Sequence, residues 1–344
     1  MRKKVLGAEH PDTLRSMANL AGTYSDLGNF KEAEELEVQV LDMRKKLLGV
    51  EHPQTLRSMA NLASTYSDLG NFKETERLEV QVLSMRKELL GAEHPHTLVS
   101  MGNLATTYSN LGNFKEAEEL EVQVLNMRKK VLGAEHPDTL LSMANLARTY
   151  SDLGNFKEAE ELEVQVLNMR KKVLGAEHPD TLRSLAHLAV TYSNLSNFKE
   201  AEELEVQVLD MRKKVLGAEH PLTLLSMGNL ATTYSNLGNF KEAEELEAQV
   251  LDMRKKVLGA EHPDTLRSLA HLAVTYTNLG NFKEAEELEV QVLDMRKKVL
   301  GAEHPDTLFS MENLARTYSN LGNFKEAEEL EVQVLDMRKK LLGA

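Results

Sequence analysis

The stretch Glu9-His10-Pro11-Asp12-Thr13-Leu14 opens a 42-residue segment that recurs eight times, without insertion or deletion, up to Ala344. Self-similarity at a fixed period of about 20 to 50 residues is the signature of a repeat protein, in which each copy packs on its neighbours. Residues 1–8 match residues 337–344 except that Val5 replaces Leu341, and they are predicted to be a partial repeat, the end of a second helix. The eight predicted repeats form one array and span residues 9–50, 51–92, 93–134, 135–176, 177–218, 219–260, 261–302 and 303–344.

The first half of each repeat predicts a helix that begins at the proline. A proline at the first helical position loses no hydrogen bond, and Asp12 complements the positive end of the helix dipole. Gly28 is expected to end the helix in a left-handed conformation, which Ser196 would have to adopt in repeat 5. We assign His10 and its equivalents to the start of this helix. Apolar spacing of three and four residues predicts a buried face of Leu14, Met17, Leu20, Tyr24 and Leu27.

The second half of each repeat predicts another helix. Asn29 is expected to cap its N-terminus, and Glu32 completes a capping-box pattern. Arg44, Lys45 and Lys46 lie in the last turns, where we interpret them as charges that complement the dipole. No segment has the pattern of a strand, so the sequence predicts an all-α fold. The expected buried face of this helix comprises Ala33, Leu36, Val40, Met43 and Leu47.

The stretch Asn19-Leu20-Ala21-x-x-Tyr24-x-x-Leu27-Gly28-Asn29-Phe30-Lys31-Glu32-Ala33 resembles the tetratricopeptide repeat. The long second helix and the Leu-Gly-x-Glu-His-Pro-Asp-Thr linker resemble the 42-residue repeats of kinesin light chains. This resemblance covers the whole chain and implies a right-handed superhelical solenoid of antiparallel helix pairs. Two residues depart from the family pattern: Glu37 replaces a large apolar residue, and Val40 replaces an alanine.

Composition narrows the class of protein. A hydrophobic fraction of 42% with 28% charged residues indicates an ordered chain. The absence of cysteine excludes disulfides and thiol nucleophiles, and is compatible with the cytoplasmic location that we expect. No apolar run approaches the ~20 residues of a membrane span. The net charge of −13 argues against nucleic-acid binding. We therefore expect neither a membrane nor a nucleic acid as partner.

Catalytic and metal sites have no support in the sequence. An active site would break the repetition at one place, and no such break occurs. The linker histidines recur once per repeat without a second ligand pattern, which gives no basis for a metal site. We expect a protein without enzyme activity, cofactor or metal.

The repeats differ mainly on one face of the first helix, at the positions of Asp12, Arg15, Asn19, Gly22 and Asp26. These positions are three and four residues apart, so they share a face that is distinct from the apolar one. The glutamate-rich exposed face of the second helix hardly varies, although neutral drift should affect both faces. We therefore interpret this variable face as a recognition surface, with drift of exposed positions as the alternative.

The resemblance places the variable face on the concave side of a tetratricopeptide array, where partner peptides usually lie. Asparagines there would bind backbone amides, arginines would bind carboxylates, histidines would bind acidic or carbonyl groups, and apolar residues would form pockets. The predicted partner-binding residues are Arg15, Asn19, Arg57, Asn61, Val99, Asn103, Leu141, Asn145, Arg148, Arg183, His187, Val190, Leu225, Asn229, Arg267, His271, Val274, Phe309, Asn313 and Arg316.

The leading functional hypothesis is a protein-interaction module. The array also resembles the ligand-sensing repeats of nucleotide-binding receptors of the innate-immunity type. Two alternatives are a self-assembling scaffold and a cargo adaptor of the kinesin light chain kind. The last helix is predicted to expose its apolar face, and thereby to associate end to end with another copy. That face comprises Ala327, Leu330, Val334, Met337 and Leu341.

Overall fold

The computed structural model describes residues 6–342, so most of the predicted partial repeat lies outside the described residues. Between residues 11 and 342 the chain forms sixteen α-helices and no strand, which confirms the all-α class and the two helices per repeat. The helices are α1 (Pro11–Asp26), α2 (Phe30–Leu48), α3 (Pro53–Asp68), α4 (Phe72–Leu90), α5 (Pro95–Asn110), α6 (Phe114–Leu132), α7 (Pro137–Asp152), α8 (Phe156–Leu174), α9 (Pro179–Asn194), α10 (Phe198–Leu216), α11 (Pro221–Leu237), α12 (Phe240–Leu258), α13 (Pro263–Leu279), α14 (Phe282–Val299), α15 (Pro305–Leu321) and α16 (Phe324–Leu342).

Two compact units make up the chain, an N-terminal unit of Met1–Val173 and a C-terminal unit of Leu174–Ala344. In the N-terminal unit, consecutive helices from α1 to α7 pack against one another. In the C-terminal unit, the same holds from α9 to α16. No helix in the described part of the chain is both long and apolar enough to cross a membrane.

The start of each first helix confirms the role predicted for the linker histidines. His10 is the N-cap of α1, and its Nδ1 accepts a hydrogen bond from the backbone N–H of Asp12 at 3.2 Å. In repeats 4 to 8, a buried threonine near the start of the first helix makes a further bond. In α7, Thr139 Oγ1 donates to the carbonyl of Gly133, at the end of the preceding helix, at 2.8 Å. The histidine therefore caps its own helix, and the threonine bond joins consecutive repeats.

The turn between the two helices confirms the predicted left-handed residue and corrects the predicted cap. Gly28 has a φ of 76°, and Ser196 adopts 62° at the same position of repeat 5. The capping box at Asn29 is wrong, because the Asn29 side chain makes no capping hydrogen bond to α2. The backbone N–H of Asn29 instead donates to the Tyr24 carbonyl at 2.8 Å, as in a Schellman motif. Its φ of −85° and ψ of 63° lie outside the extended geometry of an N-cap.

The hydrophobic core lies at the junction between one repeat and the next. In the N-terminal unit, one cluster consists of Leu125 from α6, Leu140, Met143 and Leu146 from α7, and Val166 from α8. The three α7 residues are the equivalents of Leu14, Met17 and Leu20, which confirms this part of the predicted face of the first helix. The prediction is wrong at Leu27, which is exposed, and Leu20 of α1 is exposed as well. The predicted face of the second helix is wrong at Leu47, which is exposed. Leu41 takes its place in the core, because it packs on Leu56 and Met59 of α3.

The apolar face predicted to lie open on the last helix is mostly covered. Ala327 and Val334 are buried, because α15 of the same repeat packs on this face. The side chain of Leu341 lies outside the described residues. The large apolar residues that α16 does expose, among those whose side chains are described, are Phe324, Val332 and Leu335. The prediction for this face is therefore wrong in its residues.

In most second helices, a buried or half-buried arginine near the end connects one repeat to the next. In α6, Arg128 Nη1 donates to the Asp138 carbonyl at 2.9 Å and to Ser142 Oγ at 2.8 Å, both in α7. The interpretation of this arginine series as charges of the helix end is therefore wrong. Two residues later, Lys130 is exposed and forms an ion pair with Glu93 at 2.5 Å.

The Glu37 series, which departs from the family pattern, is also buried at the junctions. In the N-terminal unit, Glu79 of α4 accepts a hydrogen bond from Thr107 Oγ1 of α5 at 2.7 Å. Burial raises the pKa of Glu79 to about 7, and the bond from Thr107 partly opposes this effect. Burial likewise raises the pKa of Glu205 in the C-terminal unit to about 7. A polar residue is tolerated here because it is hydrogen-bonded or protonated.

Candidate partner-binding site

The variable face of the first helices is exposed in both units. Exposed members of the predicted set are Arg15, Asn19, Arg57, Asn61, Val99, Asn103, Leu141, Arg148, Arg183, His187, Val190, Leu225, Arg267, His271, Phe309 and Arg316. Asn145, Asn229 and Val274 are half-buried. Asn313 is only 8% exposed, and its Oδ1 accepts a hydrogen bond from Arg316 Nη2 at 3.4 Å. Asn313 therefore contributes little to the surface of this face.

Some arginines of the variable face already have a partner on their own helix. Arg15 forms an ion pair with Asp12 at 2.7 Å, and Arg183 forms one with Asp180 at 2.6 Å. Arg57 follows Gln54 at the corresponding spacing, and so has no equivalent carboxylate on its helix. Exposed ion pairs of this kind contribute little stability. They hold the guanidinium groups in place while leaving other N–H donors free.

A groove of about 780 Å³ opens on the variable face of the N-terminal unit, between α3, the end of α4 and the start of α5. It brings together four predicted residues, Arg57, Asn61, Val99 and Asn103. Its apolar wall comes mainly from Leu56 on α3, Leu89 and Leu90 on α4, and Val99 on α5. The groove is large enough for side chains of an extended peptide.

The polar rim of this groove carries cations and histidines. Arg86 lines the groove while its Nη1 donates to the His96 carbonyl at 3.1 Å and to Ser100 Oγ at 2.7 Å. Burial lowers the pKa of Arg86. The rings of His94 and His96 lie 5.3 Å apart, centre to centre, on the same rim.

A smaller recess of about 280 Å³ opens on the variable face of the C-terminal unit, between α11, α12 and α13. It brings together four other predicted residues, Leu225, Asn229, Arg267 and His271. Three residues from α12 also line it: Glu247, Val250 and Arg254. The remaining predicted residues, among them Arg148, His187, Phe309 and Arg316, line neither of these two cavities.

Burial is the main cause of the pKa shifts of the groups that line the recess. His271 is exposed as a whole, but the side chains around the recess desolvate its ring and lower its pKa. Arg267, Arg254 and Arg296 add to the effect, so the imidazole is neutral at neutral pH. Burial lowers the pKa of Arg254 as well. Burial raises the pKa of Glu247 to about 7, with the Glu244 charge adding to it and a hydrogen bond from Thr275 opposing it.

Comparison of the repeats could not identify the second-helix residues that line these cavities. Arg86 and Arg254 belong to a series that is identical in all eight repeats, so no difference between copies draws attention to them. Glu247 stood out only through its departure from the family pattern. Gly228 occupies the position of Ala18, which also varies between the repeats, but only the structure places it at the recess. Within the described residues, no group of three or more His, Asp or Glu side chains could hold a metal ion.

These features define a class of protein: helix pairs in series, with an invariant face at the junctions and a variable, exposed face that carries cavities. A family model described as tetratricopeptide repeat matches residues 13–54, 55–96, 97–138, 139–180, 181–222, 223–264, 265–306 and 307–344. The chain belongs to the tetratricopeptide repeat family. Members of this family are generally non-catalytic scaffolds for protein interactions.

Similar solved structures agree with this assignment. A putative kinesin light chain of Podosopora anserina with nearly identical tetratricopeptide-like repeats is 40% identical, with a TM-score of 0.54; the match covers 60% of this chain and 98% of that one. The apo quorum sensor NprR of B. thuringiensis is 17% identical over 95% of this chain and 87% of its own, with a TM-score of 0.69. A signal transduction ATPase with a tetratricopeptide repeat sensor from Pyrococcus horikoshii is 18% identical over 98% of this chain and 53% of its own, with a TM-score of 0.62. The last two likenesses concern the fold alone. A search of curated proteins found no match.

Proposed function

We propose that the variable face, which is the concave side of a tetratricopeptide array by resemblance, binds an extended peptide or a protein segment. The observation that carries this proposal is the contrast within each first helix. Positions that differ between repeats, such as Arg57, Val99 and Leu141, are exposed, and the two described cavities open where such positions meet. Asparagine amides would bind the peptide backbone, and arginines would bind acidic side chains.

A selection from a displayed random-peptide library tests this function. Affinities of the selected peptides are then measured for two sets of variants. Replacing Arg57, Asn61 and Arg148 by alanine should weaken binding about tenfold or more while changing stability by less than ~0.5 kcal/mol per site. Replacing Glu119 and Glu245 by alanine, on the exposed face of the second helices, should leave the affinity unchanged. Loss of binding only in the second set would place the partner on the other face.

Two narrower roles remain predictions: a sensor region of a nucleotide-binding receptor, and a cargo adaptor. A nucleotide-binding domain in the same open reading frame would favour the sensor, and a long heptad coiled coil would favour the adaptor. The predicted cytoplasmic location likewise stays a prediction.

A second candidate function, head-to-tail association of copies of the 344-residue polypeptide, is favoured by one residue. Leu335 of α16 is 52% exposed, whereas its equivalent Leu293 is 5% exposed because α15 covers it. Another copy would cover Leu335 with its α1, whose residues are equivalent to the α15 residues that cover Leu293. Sedimentation over a wide concentration range should show association that Leu335→Lys removes and Val257→Lys, also at an exposed position, does not. Association that persists in Leu335→Lys would contradict this interface.

A further inference from the structure

The first helices that line the recess of the C-terminal unit belong to repeats 6 and 7, and repeats 3 and 4 contain their counterparts. Repeats 3 and 6 share the segment Met-Gly-Asn-Leu-Ala-Thr-Thr, which starts at Met101 and Met227. The repeats that follow them differ on the variable face. Leu141 and Asn145 follow the first copy, whereas Arg267 and His271 follow the second copy at the equivalent positions. The same glycine-containing helix therefore faces an uncharged pair in one place and an arginine with a histidine in the other.

Two guanidinium groups supply hydrogen-bond donors to this recess. Arg254 Nη1 donates to the Asp264 carbonyl at 3.1 Å and to Ser268 Oγ at 2.7 Å, which fixes the side chain. Arg254 is half-buried, while its counterpart Arg128 is buried. Arg254 therefore has N–H groups left for a ligand, because a guanidinium carries five.

Arg267 provides the second guanidinium group. Its Nη2 donates to Asp264 Oδ1 at 2.7 Å, and the pair is exposed, so other N–H groups of Arg267 stay available. The Asp264 carboxylate offsets part of the positive charge, but two guanidinium groups face this single aspartate. The recess consequently favours an anion that accepts hydrogen bonds.

The other walls do not repel an anion strongly and add apolar contact. Burial raises the pKa of Glu247 to about 7, which removes part of its charge at neutral pH. His271, whose pKa is lowered, offers one N–H donor as a neutral ring. Leu225 and Val250 provide aliphatic surface. A volume of about 280 Å³ exceeds that of a few water molecules, so an acidic side chain with its methylene groups fits.

We propose that this recess binds the carboxylate side chain of an aspartate or glutamate of the partner peptide, with Arg254 and Arg267 as the donors and His271 at its side. The proposal rests on the proposed function, because it assigns a specificity pocket to the same variable face. It makes the two cavities different in kind, since the groove of the N-terminal unit is mainly apolar.

Short acetylated and amidated peptides of alternating glycine and aspartate serve as the probe, with asparagine peptides of the same length as the comparison. Binding is followed by the imidazole NMR signal of His271 and by fluorescence anisotropy. The aspartate peptide should shift the His271 signal in a saturable way. The asparagine peptide should bind at least about tenfold more weakly, which corresponds to the loss of one charge-assisted hydrogen bond.

Three variants test the location. The double variant Arg267→Leu with His271→Asn reproduces the residues of the counterpart at Leu141 and Asn145, so it should fold, and it should lose the preference for aspartate. Gly228→Leu fills the recess without a left-handed backbone or a nearby atom to clash with, and should also abolish that preference. Gly102→Leu is the matched control in the counterpart and should leave it unchanged.

Several results would overturn the proposal. Equal affinities for the aspartate and asparagine peptides would do so, as would an aspartate preference that survives Gly228→Leu in protein with an unchanged circular dichroism spectrum. Saturable binding of inorganic phosphate without binding of the aspartate peptide would identify a free-anion site instead. A library-selected peptide that requires Arg57 and Asn61 but is indifferent to Gly228→Leu and to the double variant would refute the recess and leave the proposed function intact.

Discussion

The junction face and the variable face of a first helix lie on the same turn of backbone and differ in what they tolerate. In α7, Met143 is fully buried, whereas Leu141, two residues earlier, is 42% exposed. The Met143 position holds only methionine or leucine in the eight repeats, which are similar in volume. The Leu141 position holds arginine, valine, leucine or phenylalanine. The comparison shows that packing between repeats restricts one face and leaves the other free to vary.

The largest effect on stability is expected for substitutions on the two faces of α7. Met143→Ala should destabilise the N-terminal unit by about 2–5 kcal/mol, because it leaves a cavity among Leu125, Leu140 and Leu146. Leu141→Ala should change stability by about 0.5 kcal/mol or less. Hydrogen exchange of the α6 and α7 amides measures the stability change of each variant locally. A local measurement is needed because repeat arrays need not unfold in one step. Similar losses for the two variants would remove the distinction between the faces.

A smaller effect is expected for the buried arginine. Arg128→Ala leaves the Asp138 carbonyl and Ser142 Oγ without this donor, and should cost about 1–3 kcal/mol. Arg338 is the equivalent residue in α16, where it is exposed and pairs with Glu312 at 2.9 Å. Arg338→Ala should therefore cost less than the α6 variant. Urea denaturation of the two variants, followed by circular dichroism, makes the comparison; an equal cost would show that the bonds to the next repeat contribute nothing.

The buried glutamates predict a pH dependence. Burial raises the pKa of Glu205 to about 7, above its ordinary value of 4.5. The folded state then holds a proton that the unfolded state has released, so stability is fully present below about pH 4.5. It falls as the pH rises towards about 7, by about 1 kcal/mol per pH unit for this residue, and levels off above that.

Glutamine in place of Glu205 isolates this contribution. Glu205→Gln should resemble the wild type at about pH 4.5 and exceed its urea midpoint at about pH 8, since glutamine does not ionise. Glu331 occupies the equivalent position in α16 and is exposed, so Glu331→Gln should track the wild type at every pH. A Glu205→Gln midpoint parallel to the wild type across the range would refute the buried-carboxyl interpretation.

The smallest effect concerns the turn of repeat 5. Ser196 adopts a φ of 62°, which glycine adopts without strain. Ser196→Gly should stabilise the C-terminal unit by about 1 kcal/mol, and Gly238→Ser, at the equivalent turn of repeat 6, should destabilise it by a similar amount. The two thermal midpoints should move in opposite directions. Movement in the same direction would show that the conformational preference of this turn does not govern stability.

The periodic features of the fold were readable from the sequence because they follow from local chemistry. Prolines mark helix starts, glycines mark turns, and apolar spacing identifies the residues that pack at the junctions. Asn29 was misread because its backbone serves the preceding turn, which a residue-type rule for caps does not include. Arg128 and Lys130 were read alike as surface charges. Only the packing of α6 on α7 shows that one is buried and the other is not.

The candidate site was predictable in the same partial way. Variation among the repeats indicated one exposed face, since only a surface without packing constraints can change freely. The cavities on that face also depend on the second helices, whose sequence is nearly constant. Arg86 and Arg254 each lie between a methionine and a lysine in the sequence, yet they line cavities of different size and character. The shape of a cavity depends on the three helices that line it, so it cannot be inferred from any single sequence position.

The uniformity of the junctions has a consequence for heredity. Every second helix presents the same arginine, glutamate and leucine positions to the next first helix, so any repeat can follow any other without a mismatch. Unequal crossing-over between such similar gene segments would add, remove or exchange whole 42-residue modules in frame. Each product would keep a foldable chain while presenting a new order of exposed residues. Under the proposed function, such recombination would change the specificity of the variable face without any point mutation.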